Sequence, residues 1–127
     1  MADGAIQPPG VARPAAPFSP VVVSGDLVYT AGQVGHDAAG NIVEGGIAAQ
    51  TRQAFENLRL CLEAGGCSLE DVVKVNAYLT DLDDFAPYNE VYRELFHEPY
   101  PARTTVGAAL VPGLLVEVEA VARRRTP

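Results

Sequence analysis

Positively charged residues and histidines are scarce in this sequence. Nine lysines and arginines face 16 aspartates and glutamates, which gives a net charge of -7 over 127 residues. Because proteins bind nucleic acids mainly by neutralising phosphates, this balance argues against RNA or DNA as a partner. The two histidines, His36 and His97, lie too far apart to form a helical metal pair. We therefore expect no metal.

Cysteine and long apolar runs are scarce as well. Cys61 and Cys67 are the only thiols. Their spacing fits neither a disulfide framework nor a zinc site, so we expect one small buried residue and one cysteine at a helix end. No apolar run is long enough to cross a bilayer, and the N-terminus lacks the pattern of a signal peptide. These absences predict a soluble, cytoplasmic protein without a membrane partner.

The sequence does contain enough apolar residues for one folded domain. Hydrophobic residues make up 48% of the chain, so the protein can bury most of its surface on folding. The first 17 residues hold four prolines and show no periodicity, which predicts an extended arm, or a poorly ordered one, over residues 1–17. We place a single domain at residues 18–127.

The first half of this domain predicts a hairpin followed by a helix. Two β-rich runs, at 21–24 and 27–31, flank Gly25 and Asp26, which are typical of a tight two-residue turn. Apolar residues then recur at three- and four-residue steps, which predicts a helix over 47–64.

The second half predicts a strand and a second helix. Residues 72–80 alternate between apolar and polar, with Val73 at the first apolar position. Asp81 and Asp83 are candidate caps for a helix over 85–96.

The stretch RTTVGAALVPGLLVEVEA, residues 103–120, predicts two further strands joined as a hairpin. Side chains two apart on a strand share a face, so Glu117 and Glu119 lie opposite a row of valines that marks the core face. Pairing within a hairpin would bring Thr105 opposite one of these glutamates and Arg103 within one diagonal step. We therefore predict that the arginine and the glutamates meet on one surface.

The element order β-β-α-β-α-β-β predicts an α+β fold, with a sheet backed by two helices on one face. The other face would combine the charged groups with Leu115 and Val121, a mixture that suggests a subunit interface. From spacing alone, we favour an ordinary cross-strand salt bridge. The alternative is a site where the arginine binds a carboxylate and a glutamate moves a proton.

Four stretches of the sequence show a more specific pattern: VYTAGQVG, NIVEGGIAAQTRQAFENL, VVKVNAYLTDLDDFAPYNEVY, and YPARTTV with VEVEAVA. Together they resemble the Rid family of reactive-imine deaminases, also known as YjgF-like or L-PSP-like, over about residues 18–122. The resemblance implies a chorismate-mutase-like α+β subunit. It also implies a homotrimer in which the sheets form an inner barrel and three ligand sites lie between subunits.

The resemblance also implies roles for single residues. Arg103, in the P-A-R motif, would grip the substrate carboxylate, and Glu117, the first glutamate of E-x-E, would orient the hydrolytic water. Glu119 would be its neighbour. Asn89 on the second helix and the backbone of Gly32 would contact the substrate.

Three positions depart from the family pattern. Phe18 stands where a tyrosine is frequent, Ala31 replaces a serine, and Thr105 occupies a position that is sometimes cysteine. These positions border the implied substrate site. A site that hydrogen-bonds its substrate discriminates strongly through such hydroxyl groups, so these changes leave the identity of the substrate open.

The implied reaction is hydrolysis of 2-imino acids or their enamine tautomers, of the 2-iminobutanoate and 2-iminopropanoate type, to 2-keto acids and ammonia. It would need no metal and no organic cofactor. Two other functions stay open: deamination of an aminoacrylate- or aminomuconate-type substrate in a dedicated pathway, and a non-catalytic trimer that binds small carboxylates or a partner protein. RNA cleavage, known in the family, fits the acidic charge poorly.

Overall fold

The computed structural model describes residues 4–125, which form one mixed sheet and two helices. The strands are β1 Gly4–Ile6, β2 Val21–Ser24, β3 Leu27–Thr30, β4 Gln33–Val34, β5 Val72–Leu79, β6 Ala102–Gly107 and β7 Val116–Arg123. The helices are α1 Gly46–Ala64 and α2 Phe85–Leu95. The strand order is β1-β2-β3-β7-β5-β6, with β4 also paired to β7. Over this part of the chain, no helix combines the length and apolar character needed to cross a membrane.

Strands β2 and β3 form the first predicted hairpin. Ser24 pairs with Leu27 across Gly25 and Asp26. Gly25 has a φ of +61°, a left-handed conformation that glycine adopts without a steric penalty and that tight hairpin turns require. The prediction of a two-residue turn is confirmed.

Helix α1 also agrees with its prediction, although it begins one residue earlier. Its C-cap is Gly65, whose N–H donates to the carbonyls of Cys61 and Leu62. Cys61 and Cys67 are both buried and form no disulfide. Burial raises the pKa of Cys61 to about 12, so this thiol is unreactive at neutral pH and serves as a packing residue.

Strand β5, helix α2 and strand β6 form a β-α-β unit, and this arrangement overturns the predicted terminal hairpin. Strand β6 runs parallel to β5, with Thr105 beside Ala77, whereas β7 runs antiparallel along the other edge of β5, with Val118 beside Ala77. Parallel neighbours need a crossover connection, which α2 supplies. Because β5 separates β6 from β7, the prediction that Thr105 lies opposite Glu117 or Glu119 is wrong.

A single apolar core lies between the sheet and the two helices. The predicted core face of β7 is confirmed, because Val116, Val118, Ala120 and Ala122 are all buried there. Both helices contribute to the same cluster; their buried side chains include Ala54, Phe55, Leu58, Leu62, Tyr88 and Tyr92. The helices therefore cover one face of the sheet and leave the other without a covering layer in a single chain.

Two local predictions around β5 and α2 need correction. A β-bulge between Val72 and Lys74 shifts the alternation, so Val72 is buried and Val73 is exposed; an extra residue at a bulge has this effect. The carboxylate of Asp81 accepts from the N–H of Asp83 at 2.9 Å, so Asp81 caps the short 3-10 turn before α2, whereas Asp83 caps nothing.

The predicted N-terminal arm contributes to the sheet. Residues 4–6 pair with β2 as strand β1, and the side chain of Val11 packs against the core. Residues 1–3 of that arm, and residues 126 and 127 of the predicted domain, lie outside the described residues. Strand β4 was not predicted, because two residues are too few to show a periodicity.

Candidate active site

Arg103 lies near the start of β6 with its guanidinium against the aromatic rings of α2. Its Cζ atom is 4.6 Å from the ring centre of Tyr92, 5.4 Å from that of Tyr88 and 5.8 Å from that of Phe85. Arg103 pairs with Val75 of β5, so its side chain leaves the sheet on the core face and meets α2 there. Cation–π attraction holds the charge in place without neutralising it.

The Arg103 charge has no carboxylate within 4.0 Å among residues 4–125. Over the same residues, the buried hydroxyls of Tyr88, Tyr92 and Thr105 lack hydrogen-bond partners. Burial raises the pKa of Tyr88, and that of Tyr92 to about 12, although Arg103 opposes both shifts. The phenols therefore stay protonated, and the surroundings of Arg103 suit an anionic ligand.

Arg103 borders a groove of about 360 Å³. Asn89 and Arg93 stand one turn apart on α2, which places them on the same side of the helix. The complete lining is Asn89, Tyr92, Arg93, Tyr100, Pro101 and Arg103. Two of the predicted site residues, Asn89 and Arg103, therefore border the same groove.

Glu117 lies on the opposite face of the sheet. It pairs with Tyr78 of β5 and Val34 of β4, and its neighbours Val116 and Val118 point into the core. Burial raises the pKa of Glu117, and the charge of Glu119 raises it further. A carboxylate with a raised pKa is a better proton acceptor and donor near neutral pH than an exposed one.

Gly32 makes room for the Glu117 carboxylate. A Cβ atom on residue 32 would overlap Oε2 of Glu117 and lie 2.7 Å from its Cδ, closer than real Cβ contacts come. Gly32 has no positive φ, so the backbone conformation does not demand glycine here. Glycine is required because the Glu117 side chain comes so close to residue 32.

A cavity of about 460 Å³ adjoins Glu117. Phe18 and Gly32 line this cavity together with part of the N-terminal segment, residues 11–16. Ala31 is not part of the lining; its N–H donates to the carbonyl of Pro20 and so fixes the backbone next to Gly32. Of the predicted substrate contacts, Phe18 and Gly32 thus accompany Glu117.

Glu119 occupies a small polar network beside Glu117. The Tyr78 hydroxyl donates to Oε1 of Glu119 at 3.1 Å, and Nδ2 of Asn76 lies 3.5 Å from Oε2. Burial and the Glu119 charge raise the pKa of Tyr78, so the phenol remains a donor. Glu119 is thus engaged by these side chains, and it acts on Glu117 through its charge.

The predicted site residues therefore form two groups on opposite faces of the sheet. The arginine cluster consists of Arg103, Asn89 and Thr105, and the glutamate cluster consists of Glu117, Gly32 and Phe18. The prediction that Arg103 and Glu117 lie on one surface is wrong for a single chain. The physical reason is the position of β5, which lies between β6 and β7 in the sheet. Arg103 on β6 points to the core face, and Glu117 on β7 points to the opposite face.

Sequence reasoning missed several polar side chains around these clusters. Apolar periodicity treats Tyr88 and Tyr92 as core residues of α2, and it gives no role to Arg93. Two features of the sequence could have pointed to them. Tyr88 and Tyr92 stand four residues apart on the helix, as do Asn89 and Arg93, and each tyrosine carries a hydroxyl group. The alternation along residues 72–80 places Tyr78 at a polar position, but its link to Glu119 depends on the register between β5 and β7, which no local pattern encodes.

Comparison with known proteins places this geometry in a family. The family model described as Endoribonuclease L-PSP matches residues 10–124. A RutC family protein of Pyrococcus horikoshii is 46% identical over 112 residues, covering 87% of this chain and 89% of the relative. The 2-iminobutanoate/2-iminopropanoate deaminase of Dermatophagoides farinae is 40% identical over 118 residues, covering 91% and 92%.

A solved structure agrees with these relatives. The crystal structure of RidA from the Antarctic bacterium Psychrobacter sp. PAMC 21119 has a TM-score of 0.89 and 42% sequence identity, covering 94% of this chain and 98% of the other. The mixed sheet with two helices is thus the fold of that protein as well. The chain belongs to the Rid family, also called the YjgF-like or L-PSP family.

Proposed function

We propose that the protein hydrolyses 2-imino acids and their enamine tautomers, of the 2-iminobutanoate and 2-iminopropanoate type, to 2-keto acids and ammonia. The observation that supports this most directly is the half-buried Arg103 charge, which has no carboxylate partner within residues 4–125. Such a guanidinium can bind the carboxylate that every 2-imino acid carries. Relatives about 40% identical to this chain are named imine deaminases.

In the proposed mechanism, Glu117 takes a proton from a water molecule as the water oxygen bonds to the carbon of the protonated imine and the C=N π electrons move to nitrogen. The resulting neutral tetrahedral intermediate carries both a hydroxyl and an amino group. Glu117 gives its proton to the amino nitrogen, and the C–N bond then breaks with ammonia as the leaving group. The hydroxyl proton passes to Glu117 as the keto group forms, and ammonia or solvent then takes it up. Imines hydrolyse unaided in water, so positioning and one acid/base group are sufficient, and the reaction needs no metal or organic cofactor.

A single chain cannot present both clusters to one substrate, because they lie on opposite faces of its sheet. We therefore propose a homotrimer in which the arginine cluster of one subunit faces the glutamate cluster of the next. The face that carries Glu117 supports this proposal, because it also exposes apolar side chains. Val22, Tyr29 and Val106 are 40%, 42% and 42% exposed there, and a mixed surface of this kind favours contact with another protein surface.

The remaining predicted residues complete the proposed site. Asn89 donates to the substrate beside Arg103, while the backbone at Gly32 and Thr105 binds the departing amine. Phe18 provides an apolar wall next to Glu117. With alanine at position 31, no hydroxyl is available at that point of the site.

The test is ammonia and keto-acid release from imines generated in the assay. A threonine dehydratase supplies 2-iminobutanoate and an amino-acid oxidase supplies 2-iminopropanoate, with spontaneous hydrolysis measured without the protein and subtracted. We expect acceleration that persists after dialysis against a strong chelator. Rates equal to the spontaneous ones with both substrates would overturn the proposed function, and loss of activity on chelation that a divalent metal restores would overturn its mechanism.

A further inference from the structure

The groove beside Arg103 contains a second arginine and no acidic side chain. Arg93 and Arg103 both line this space of about 360 Å³, and the other lining residues are neutral. The protein as a whole carries a net charge of -7, so two positive charges beside one groove run against its overall composition. Within one chain, this local excess of positive charge suits an anionic ligand with more than one charge.

Four of the six other arginines differ from these two in having a carboxylate partner. Arg52, Arg59, Arg123 and Arg125 each lie within 4.0 Å of a carboxylate. Within residues 4–125, neither Arg93 nor Arg103 has such a partner. Arg13 and Arg124 also lack a carboxylate within this distance over residues 4–125. What distinguishes Arg93 and Arg103 is that both line the same groove.

The two guanidinium groups hold different positions in the groove. Arg103 is half-buried and packed against the rings of Tyr88 and Tyr92, which fixes its orientation. Arg93 is exposed on α2, one turn after Asn89. A ligand gripped by Arg103 through one carboxylate would thus find a second positive charge at the outer part of the groove.

We infer that the preferred substrates are 2-imino dicarboxylates, in which Arg103 binds the carboxylate next to the imine and Arg93 binds the carboxylate at the end of the side chain. This inference rests on the proposed function and narrows its substrate class. A 2-imino acid with a neutral side chain of the same length would leave the Arg93 charge without a partner. Arg93 is then a specificity-determining residue.

The experiment compares two imines of equal chain length. Amino-acid oxidases, with catalase present, generate 2-iminoglutarate from glutamate and 2-iminopentanoate from norvaline, and kcat/KM is measured for each. We expect the dicarboxylate to be preferred. Arg93→Gln should lower the ratio of the two kcat/KM values by about two- to fivefold, which corresponds to one exposed charge pair. The activity on 2-iminopentanoate should stay near that of the parent.

A matched variant separates this role from a general effect of charge. Arg123→Gln removes one arginine charge from β7, outside the groove, and should leave the ratio unchanged. Arg93 also lies in the last turn of α2, where it stabilises the helix dipole. A role limited to helix stability would lower both activities together and would not alter their ratio.

Binding measurements keep the inference testable if no imine is turned over. Calorimetry should show that the parent binds 2-oxoglutarate more tightly than 2-oxopentanoate. The Arg93→Gln variant should show no such preference. Equal affinities in the parent, or a preference that survives in Arg93→Gln, would overturn the inference. Absence of catalysis together with the expected binding preference would overturn the proposed function and leave the dicarboxylate site standing.

Discussion

Replacing Gly32 with alanine should disable Glu117 without disturbing the fold. The new Cβ would overlap Oε2 of Glu117 and lie 2.7 Å from its Cδ. An ordinary contact begins near 3.4 Å, so Cδ must move by about 0.7 Å and Oε2, which lies nearer, by more. Misplacement of a catalytic group by roughly 1 Å can cost about 100-fold in rate. We therefore expect kcat for imine hydrolysis to fall by about that factor, with little change in KM.

Steady-state kinetics and thermal unfolding of Gly32→Ala test this reasoning together. The backbone at residue 32 suits alanine, so Tm should stay close to that of the parent. Gly107→Ala is the matched control: its Cβ would meet Leu82 at an ordinary 3.4 Å, and we expect activity within about twofold of the parent.

A double substitution sharpens the test. Glu117→Asp shortens the side chain by one methylene and draws the carboxylate away from the new methyl group. Its effect in the Gly32→Ala background should differ from its effect alone, because the two residues touch. Full activity in a correctly folded Gly32→Ala protein would refute the assignment of Glu117 as the reacting base.

Four further outcomes follow from the same site. Arg103→Lys keeps the charge but loses the planar guanidinium and its contacts with the aromatic rings. Its kcat/KM should therefore be lower, by an amount that corresponds to about 1.5 to 3 kcal/mol of lost transition-state stabilisation. Glu117→Gln should bind carboxylate ligands yet deaminate about 100-fold or more slowly, and Glu119→Gln should lower the rate less. If Glu119→Gln were the less active variant, Glu119 would be the base. The proposed mechanism requires ionised Glu117, so the rate should fall as pH drops through its raised pKa, and Glu119→Gln should shift this limb of the pH profile to lower pH; an unmoved limb would contradict the coupling. Sedimentation at micromolar concentration should show a trimer, and a monomer would leave the two clusters unable to cooperate.

The sequence predicted the helices and strands of this fold better than it predicted which strands pair with each other. Periodicity located both helices and the first hairpin, and the alternation along β7 correctly separated the valines from Glu117 and Glu119. These signals are local, because they depend on 3.6- and 2-residue repeats within one element. The insertion of β5 between β6 and β7 is a long-range choice that no repeat within 103–120 records.

The candidate site shows the same limit. Arg103, Glu117, Asn89 and Gly32 came from motifs, and the structure places each of them beside a groove or a cavity. Their separation onto two faces followed from strand order, which the sequence alone left unspecified. The tyrosines around Arg103 went unnoticed because apolar periodicity treats an aromatic ring as core and ignores its hydroxyl group.

The place of β7 in the sheet bears on how the chain folds during synthesis. This strand is the last in chain order, yet it pairs with β3, β4 and β5 and so joins the two halves of the sheet. A nascent chain that ends before residue 116 has both halves without the strand that connects them, and β3 and β5 each expose an unpaired edge. Such edges favour association with other chains. The sheet can close only when β7 has left the ribosome, so the two halves of this sheet stay open, and benefit from chaperone protection, until residues 116–123 have been synthesised.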